Sequence, residues 1–220
     1  MAEETRTIVV VGAHPDDETL GPGGAVARRI REGWEVVVIV LTGGANLLKA
    51  GLGITADPSP EEVARTRRDE TRRATAILGV KPENVIFLDY GDGSLAQREE
   101  EATEQLAALL KEHAPVEVWS LSEYEGHPDH VAASRIARAA CAGTGIRLRR
   151  YVVSLRYGLK REDIPERFEP EDISEVLPLK RRAVNEFQSH LGMLSKQQEK
   201  PLWEDPDRYL RPEEPFIVED

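Results

Sequence analysis

The chain has 220 residues, 29 basic against 40 acidic, and a net charge of -11. That length buries a full-sized core in one domain, while the negative balance, relieved by no basic patch, excludes nucleic acid and anionic membrane surfaces as ready partners. Without an apolar stretch of about 18 residues, or the basic-then-apolar start of a secretory signal after Met1, the reading is cytoplasmic with no membrane insertion. A lone cysteine, Cys141, excludes an intrachain disulfide and reads as a buried small hydrophobe.

Thr7 to Val11 is a continuously apolar, β-branched run ending in Gly12, which suits a central strand covered on both faces. Ala25, Val26 and Ile30 carry helical spacing through residues 20–31, Gly33 breaks it, and Trp34 to Val40 reads as a second buried strand. Strand, helix and strand so close together form a βαβ unit with a right-handed crossover. The pattern recurs as helix 60–78, strand Val85 to Leu88, helix 96–112, strand Val116 to Leu121, helix 128–142 and, after an Arg-rich turn, strand Tyr151 to Leu155. Five strands alternating with helices predict an α/β fold, an open, mostly parallel Rossmann-like sheet flanked by helices.

Residues 42–60 hold Gly43, Gly44, Gly51 and Gly53 in a connection longer than usual, which reads as a pocket wall or lid, and the polar 156–178 as an irregular wall opposite. A last helix is predicted over 179–198. One domain is therefore expected over 1–198, followed by an acidic, Pro-rich arm over 199–220 whose Trp203, Tyr209 and Phe216 give it reason to pack, on its own subunit or on a neighbour in a homo-oligomer.

Chemistry concentrates in two places. His14-Pro15-Asp16-Asp17-Glu18 begins where the first strand stops, the end at which open α/β sheets place functional groups. Pro15 disfavours a helical conformation at His14, and two adjacent aspartates without a basic neighbour repel unless a cation stabilises both. His127-Pro128-Asp129-His130 enters a helix with its histidines three apart, near one face. Brought together, the clusters supply three metal ligands and acid-base groups for hydrolysis; two histidines with one carboxylate suit zinc, leave iron open, and fit magnesium poorly. Gly21-Pro22-Gly23-Gly24 matches neither a dinucleotide fingerprint nor a P-loop, and is assigned to close helix-to-sheet packing.

Ala13 to Glu18 with Gly21, Gly23 and Gly24, followed by His127 to His130, resembles the PIG-L/LmbE-like family of zinc-dependent N-acetylglucosaminyl deacetylases. Arg67, Glu70, Ala74 and Leu78-Gly79 resemble its middle helix, Leu88 to Gly93 its loop after the third strand, and Thr42-Gly43-Gly44 its second-strand turn, so the likeness spans about residues 7–155. The resemblance implies an LmbE-like deacetylase fold, Zn2+ on His14, Asp17 and His130, Asp16 as general base, and His127 facing the developing oxyanion, oriented and kept as imidazolium by Asp129. It also implies that Arg67 and Asp92, with Gly43 and Gly44, line or brace a pocket for a small amino-sugar substrate. Pro22 and Glu125 depart from the pattern in ways that leave hydrolysis intact and bear on the substrate, so one alternative is a deacylase of another N-acyl compound such as an acylated natural product. The other, a non-catalytic zinc or sugar-binding protein, would be marked by loss of the carboxylate left over after metal ligation, which here is Asp16.

Overall fold

The computed structural model describes residues 6–153, 162 and 164–218. Among these, seven strands, β1 (Thr7–Gly12), β2 (Glu35–Thr42), β3 (Val85–Tyr90), β4 (Glu117–Leu121), β5 (Arg147–Tyr151), β6 (Arg167–Asp172) and β7 (Glu213–Val218), lie in one sheet in the order β3-β2-β1-β4-β5-β7-β6. The first five run parallel, and β7 pairs antiparallel with both β5 and β6. Strand β1 is buried along its whole length, as its unbroken apolar run required. The helices are α1 (Asp17–Leu20), α2 (Gly23–Arg31), α3 (Leu47–Leu52), α4 (Pro60–Leu78), α5 (Glu99–His113), α6 (Pro128–Cys141), α7 (Leu177–Val184) and α8 (Gln188–Leu191).

The strand order makes the crevice. From β1 the chain steps outward through β2 to β3, then returns to pair β4 on the other side of β1. Right-handed crossovers put α2 and α4 on one face of the sheet and α6 on the other. The carboxyl ends of β1 and β4 therefore diverge into loops that face each other, where ligands of open α/β sheets bind.

Local signals set the best-defined boundaries. Helix α4 has a capping box between Ser59 and Glu62, Pro60 in its first turn, and Gly79 in the left-handed conformation at φ 100° after its end. Helix α6 opens on Pro128 and turns Ala132, Ala133, Ile136, Ala137 and Ala140 inward with Cys141. Among the described residues no helix is long and apolar enough to cross a membrane.

Five expectations are corrected. The helix over 20–31 is two: α1 stops at Gly21, where a Cβ would come within 2.4 Å of the Tyr151 ring, and Pro22 cannot continue it. The Arg-rich segment is not a turn but β5 itself; its charges hid the strand because Arg149 and Arg150 are buried and paired, Arg149 with Glu171 at 2.8 Å and over the Phe216 ring, Arg150 with Glu123 and Glu166. Leu155, the expected strand end, lies outside the described residues. Residues 167–172 of the expected irregular wall form β6. The helix over 179–198 is α7 and α8, since Phe187 leaves helical geometry to enter the core and Gly192 is extended. The segment expected as an arm supplies Trp203 and Tyr209 to the core and inserts β7 between β5 and β6.

A buried ion pair fastens that segment to the front of the molecule. Lys180, 1% exposed, donates to the carbonyls of Leu20 (2.9 Å) and Gly21 (3.0 Å) and to Glu214 Oε1 (2.5 Å). Glu214 also accepts the amides of Gly24 (2.8 Å) and Ala25 (2.7 Å), capping the N-terminus of α2 from β7. The glycines here serve packing, as expected: a Cβ on Gly24 would come within 2.4 Å of Ile173.

Candidate metal centre and active site

The two clusters meet. His14, in the loop after β1, and His130, in the first turn of α6, bring Nδ1 and Nε2 to within 3.1 Å of each other. Asp17 stands beside both, with Oδ1 3.4 Å from His130 Nε2 and Oδ2 3.8 Å from His14 Nδ1. Its own direction is fixed, because Oδ2 accepts the amides of Ala13 (3.0 Å) and His14 (2.8 Å).

The outward nitrogens face carboxylates. His14 Nε2 lies 3.3 Å from Asp129 Oδ2 and 3.3 Å from Asp92 Oδ1, and His130 Nδ1 lies 3.6 Å from Glu125 Oε2. Carboxylates behind imidazoles fix the tautomer and turn the other nitrogen's lone pair inward. These acids are themselves tethered: Asp129 by the amides of Gly93 and Leu95, Asp92 by that of Asn46, and Glu125 by that of Val153. Burial raises the cost of charge on Asp92, yet His14 and the Asn46 amide hold it down at about 2.

Electrostatics ask for a cation at this point. Burial disfavours an imidazolium at His14, but Asp129, Asp92 and Asp17 outweigh it and push the ring up to about 10. A divalent ion answers the same field. The donor set fits one: two ligands of a tetrahedral ion at ~2.0–2.1 Å stand roughly 3.3 Å apart, and the inward nitrogens are 3.1 Å apart. His14, His127 and His130 also offer nitrogens close enough to share an ion. Asp17 fits better as the third donor, because His127 accepts a hydrogen bond at Nδ1 and so, as a neutral ring, carries its proton on Nε2, with no lone pair left for an ion.

Asp129 does not orient His127 with its side chain, which faces His14 instead. Its backbone does so: His127 caps α6, and its Nδ1 accepts the Asp129 amide at 3.1 Å. A ring that accepts through Nδ1 carries its proton on Nε2. Burial, then the charges of His14 and His130, lower the His127 pKa, so it is a neutral donor rather than the expected imidazolium.

Asp16 is 6% exposed and sits at φ 131°, a conformation unfavourable for a side chain other than glycine. Glu18 holds it there by accepting the Asp16 amide at 3.1 Å, while Thr19 donates to the other Glu18 oxygen at 2.6 Å. Burial pushes the Glu18 carboxyl up to about 8. The Asp16 carboxyl is raised by burial and drawn back by Arg67, whose Nη2 lies 3.2 Å from Oδ2. Arg67 also donates to the carbonyls of Pro15 (2.7 Å) and Gly44 (2.9 Å). Gly44 must be glycine, at φ 61° with a Cβ position 1.9 Å from that guanidinium. Gly44 thus braces Arg67, while Gly43 packs on α4, where a Cβ would meet Ala64 at 3.3 Å; the loop's contribution to the cavity wall begins at Asn46.

These groups open into a cavity of about 420 Å³, bounded by Leu47 from α3 and by Trp203 and Tyr209 from the C-terminal segment. His190 lines it as well, with Nε2 3.3 Å from Asp16 Oδ2. Sequence reading missed His190, which lay inside a segment taken for one continuous helix, and gave Glu125 no part in the centre.

An α/β fold with a His-Asp-His cluster and a further carboxylate beside it at its topological switch point defines a class of metal-assisted hydrolase sites. Residues 9–141 match the PIG-L family model, described as GlcNAc-PI de-N-acetylase, and the chain belongs to that family. It is 28% identical over 230 residues to diacetylchitobiose deacetylase of Thermococcus kodakarensis, covering 94% of this chain and 76% of that one. It is 29% identical over 158 residues to the mycothiol S-conjugate amidase of Streptomyces coelicolor, covering 65% of this chain and 54% of that one. The chain thus spans little more than half of the second relative. In fold it is similar to N,N'-diacetylchitobiose deacetylase from Pyrococcus horikoshii, with TM-score 0.76, 22% identity and coverage of 98% and 84%. A conserved protein from Thermus thermophilus superposes with TM-score 0.69 at 26% identity, over 96% and 93%.

Proposed function

We propose that the protein is a zinc-dependent hydrolase that removes the N-acetyl group from a small N-acetylglucosamine-containing compound. The observation that carries this reading is the pair of inward imidazole nitrogens beside Asp17, with the Asp16 carboxylate alongside and not needed as a ligand. His14, Asp17 and His130 would hold the ion, which when bound supplies Lewis acidity toward an amide carbonyl and a water.

The chain's own residues divide the rest. Asp16 takes a proton from the attacking water as its oxygen bonds to the acetyl carbon. His127 donates from Nε2 to the oxygen on which charge develops. As the carbon-nitrogen bond breaks, Asp16 passes the proton to the nitrogen, so acetate and a free amine leave. A carboxyl raised by burial is a better base than a solvated one and a usable acid for the second step. A cavity of about 420 Å³ suits a mono- or disaccharide-sized compound, and the Thermococcus kodakarensis relative is a diacetylchitobiose deacetylase.

The test pairs metal analysis of purified protein with amine release from a panel of N-acetylglucosamine compounds, with and without chelator. About one zinc per chain and chelator-sensitive release are expected. Stoichiometric metal with no release would overturn the substrate assignment, and release untouched by chelation would overturn the metal's role.

A further inference from the structure

Two side chains hold the Asp16 carboxylate, and both reach the same oxygen. Arg67 Nη2 and His190 Nε2 lie 3.2 Å and 3.3 Å from Oδ2. Both partners are buried, Arg67 at 4% and His190 at 4% exposure.

The orientation of His190 follows from hydrogen-bond direction. Glu70, on α4, accepts the Ser189 amide at 2.7 Å through Oε1 and the Ser189 hydroxyl at 2.6 Å through Oε2. A hydroxyl has one proton, and an ionised carboxylate can only accept. Ser189 Oγ therefore has a lone pair to offer His190 Nδ1, 3.1 Å away, and Nδ1 is the donor in that contact. The ring is also clamped by Trp203, stacked on it with centroids 4.1 Å apart and planes at 29°. Nε2 is thereby aimed at Asp16 from a side chain locked on both of its other aspects.

We propose that His190 is a positioning residue for Asp16: the chain Glu70-Ser189-His190, working with Arg67, pins Oδ2 and presents Oδ1 to the attacking water. This rests on the hydrolase reading above. Asp16 needs such support because its backbone is strained and its neighbour Asp17 carries like charge. Arg67 alone is an incomplete clamp, since the same Nη2 also serves the Pro15 carbonyl. The arrangement ties the base to α4 and α8, two elements outside both sequence clusters.

The experiment compares His190→Ala, His190→Gln and Ser189→Ala with the parent holoenzyme for kcat, KM, zinc content and Tm. Misplacing a reacting group by about 1 Å can cost roughly 100-fold in rate, so H190A should lower kcat about 10- to 100-fold with KM and zinc within about twofold. His190→Gln keeps a donor in reach of Oδ2 and should recover most of that loss, while S189A should fall between. Unchanged kcat in H190A, a loss carried by KM or by zinc, or no recovery in H190Q would overturn the proposal. If the parent releases amine while H190A matches it, the positioning role fails and the hydrolase reading stands. If the parent releases amine from nothing in the panel, the substrate assignment fails, and Tm values of D16N, H190A and the double variant decide the contact. Shifts that fall short of additive support it; additive shifts overturn it.

Discussion

Replacing Lys180 by Met removes one partner of the buried ion pair and nothing from the catalytic centre. Lys180 spends all three of its protons, on Leu20, Gly21 and Glu214, and is 1% exposed. Methionine fills much the same volume but leaves the Glu214 carboxylate, 4% exposed, with only the two α2 amides. Breaking a buried pair in this way costs about 3–5 kcal/mol, and the burial of both groups leaves little solvent screening to discount. For a chain of this size each kcal/mol moves Tm by roughly 2–4 °C, so a fall of about 6–20 °C is expected. Thermal and urea unfolding followed by circular dichroism reads it directly. The combined K180M and E214Q variant should lose less than the sum of the single losses, because each single change strands the other's charge. A K180M loss below about 1 kcal/mol, or additive losses, would refute the idea that this pair fastens β7 to the loop after α1.

Asp16→Asn should keep zinc and lose about 10²- to 10⁴-fold in kcat; turnover near the parent value would sink the base assignment. His127→Gln should cost about 10²- to 10³-fold in kcat with metal content preserved, as for loss of an oxyanion donor, and metal loss would instead mark His127 as a ligand. The Cys141 thiol, pushed up to about 11 by burial from a model-compound value of 9.0, should resist alkylation at pH 8 until the protein unfolds. Its contribution to stability is full below about pH 9 and declines as pH rises through about 11, so the stability of Cys141→Ala should fall less steeply than the parent's over that window.

Much of this protein was legible in local sequence because the signals act over a few residues. The run Thr7 to Val11 could only be a doubly covered strand, Ser59-Pro60 with Glu62 and Gly79 delimit α4 by capping and left-handed geometry, and His14 to Asp17 with His127 to His130 marked two clusters that the fold brings together. Where charge disguised the period, as at Arg147 to Arg150, the reading failed: arginines enter a strand interior only when distant carboxylates such as Glu123, Glu166 and Glu171 arrive to pair them.

What local sequence determined, then, was the inventory: where the central buried strands run, which residues offer metal-binding groups, and which family the motifs resemble. The tertiary structure alone decided the allocation of partners. It turned Asp129 from His127 to His14, put Glu125 behind His130, made Gly44 a brace for Arg67, and brought His190 to Asp16 across more than 170 positions. The physical reason is that hydrogen bonds and charge pairs are short-ranged and directional, so a side chain's role depends on what the fold sets within about 3 Å of it. Spacing along the chain constrains that only where both partners sit on the same turn or strand.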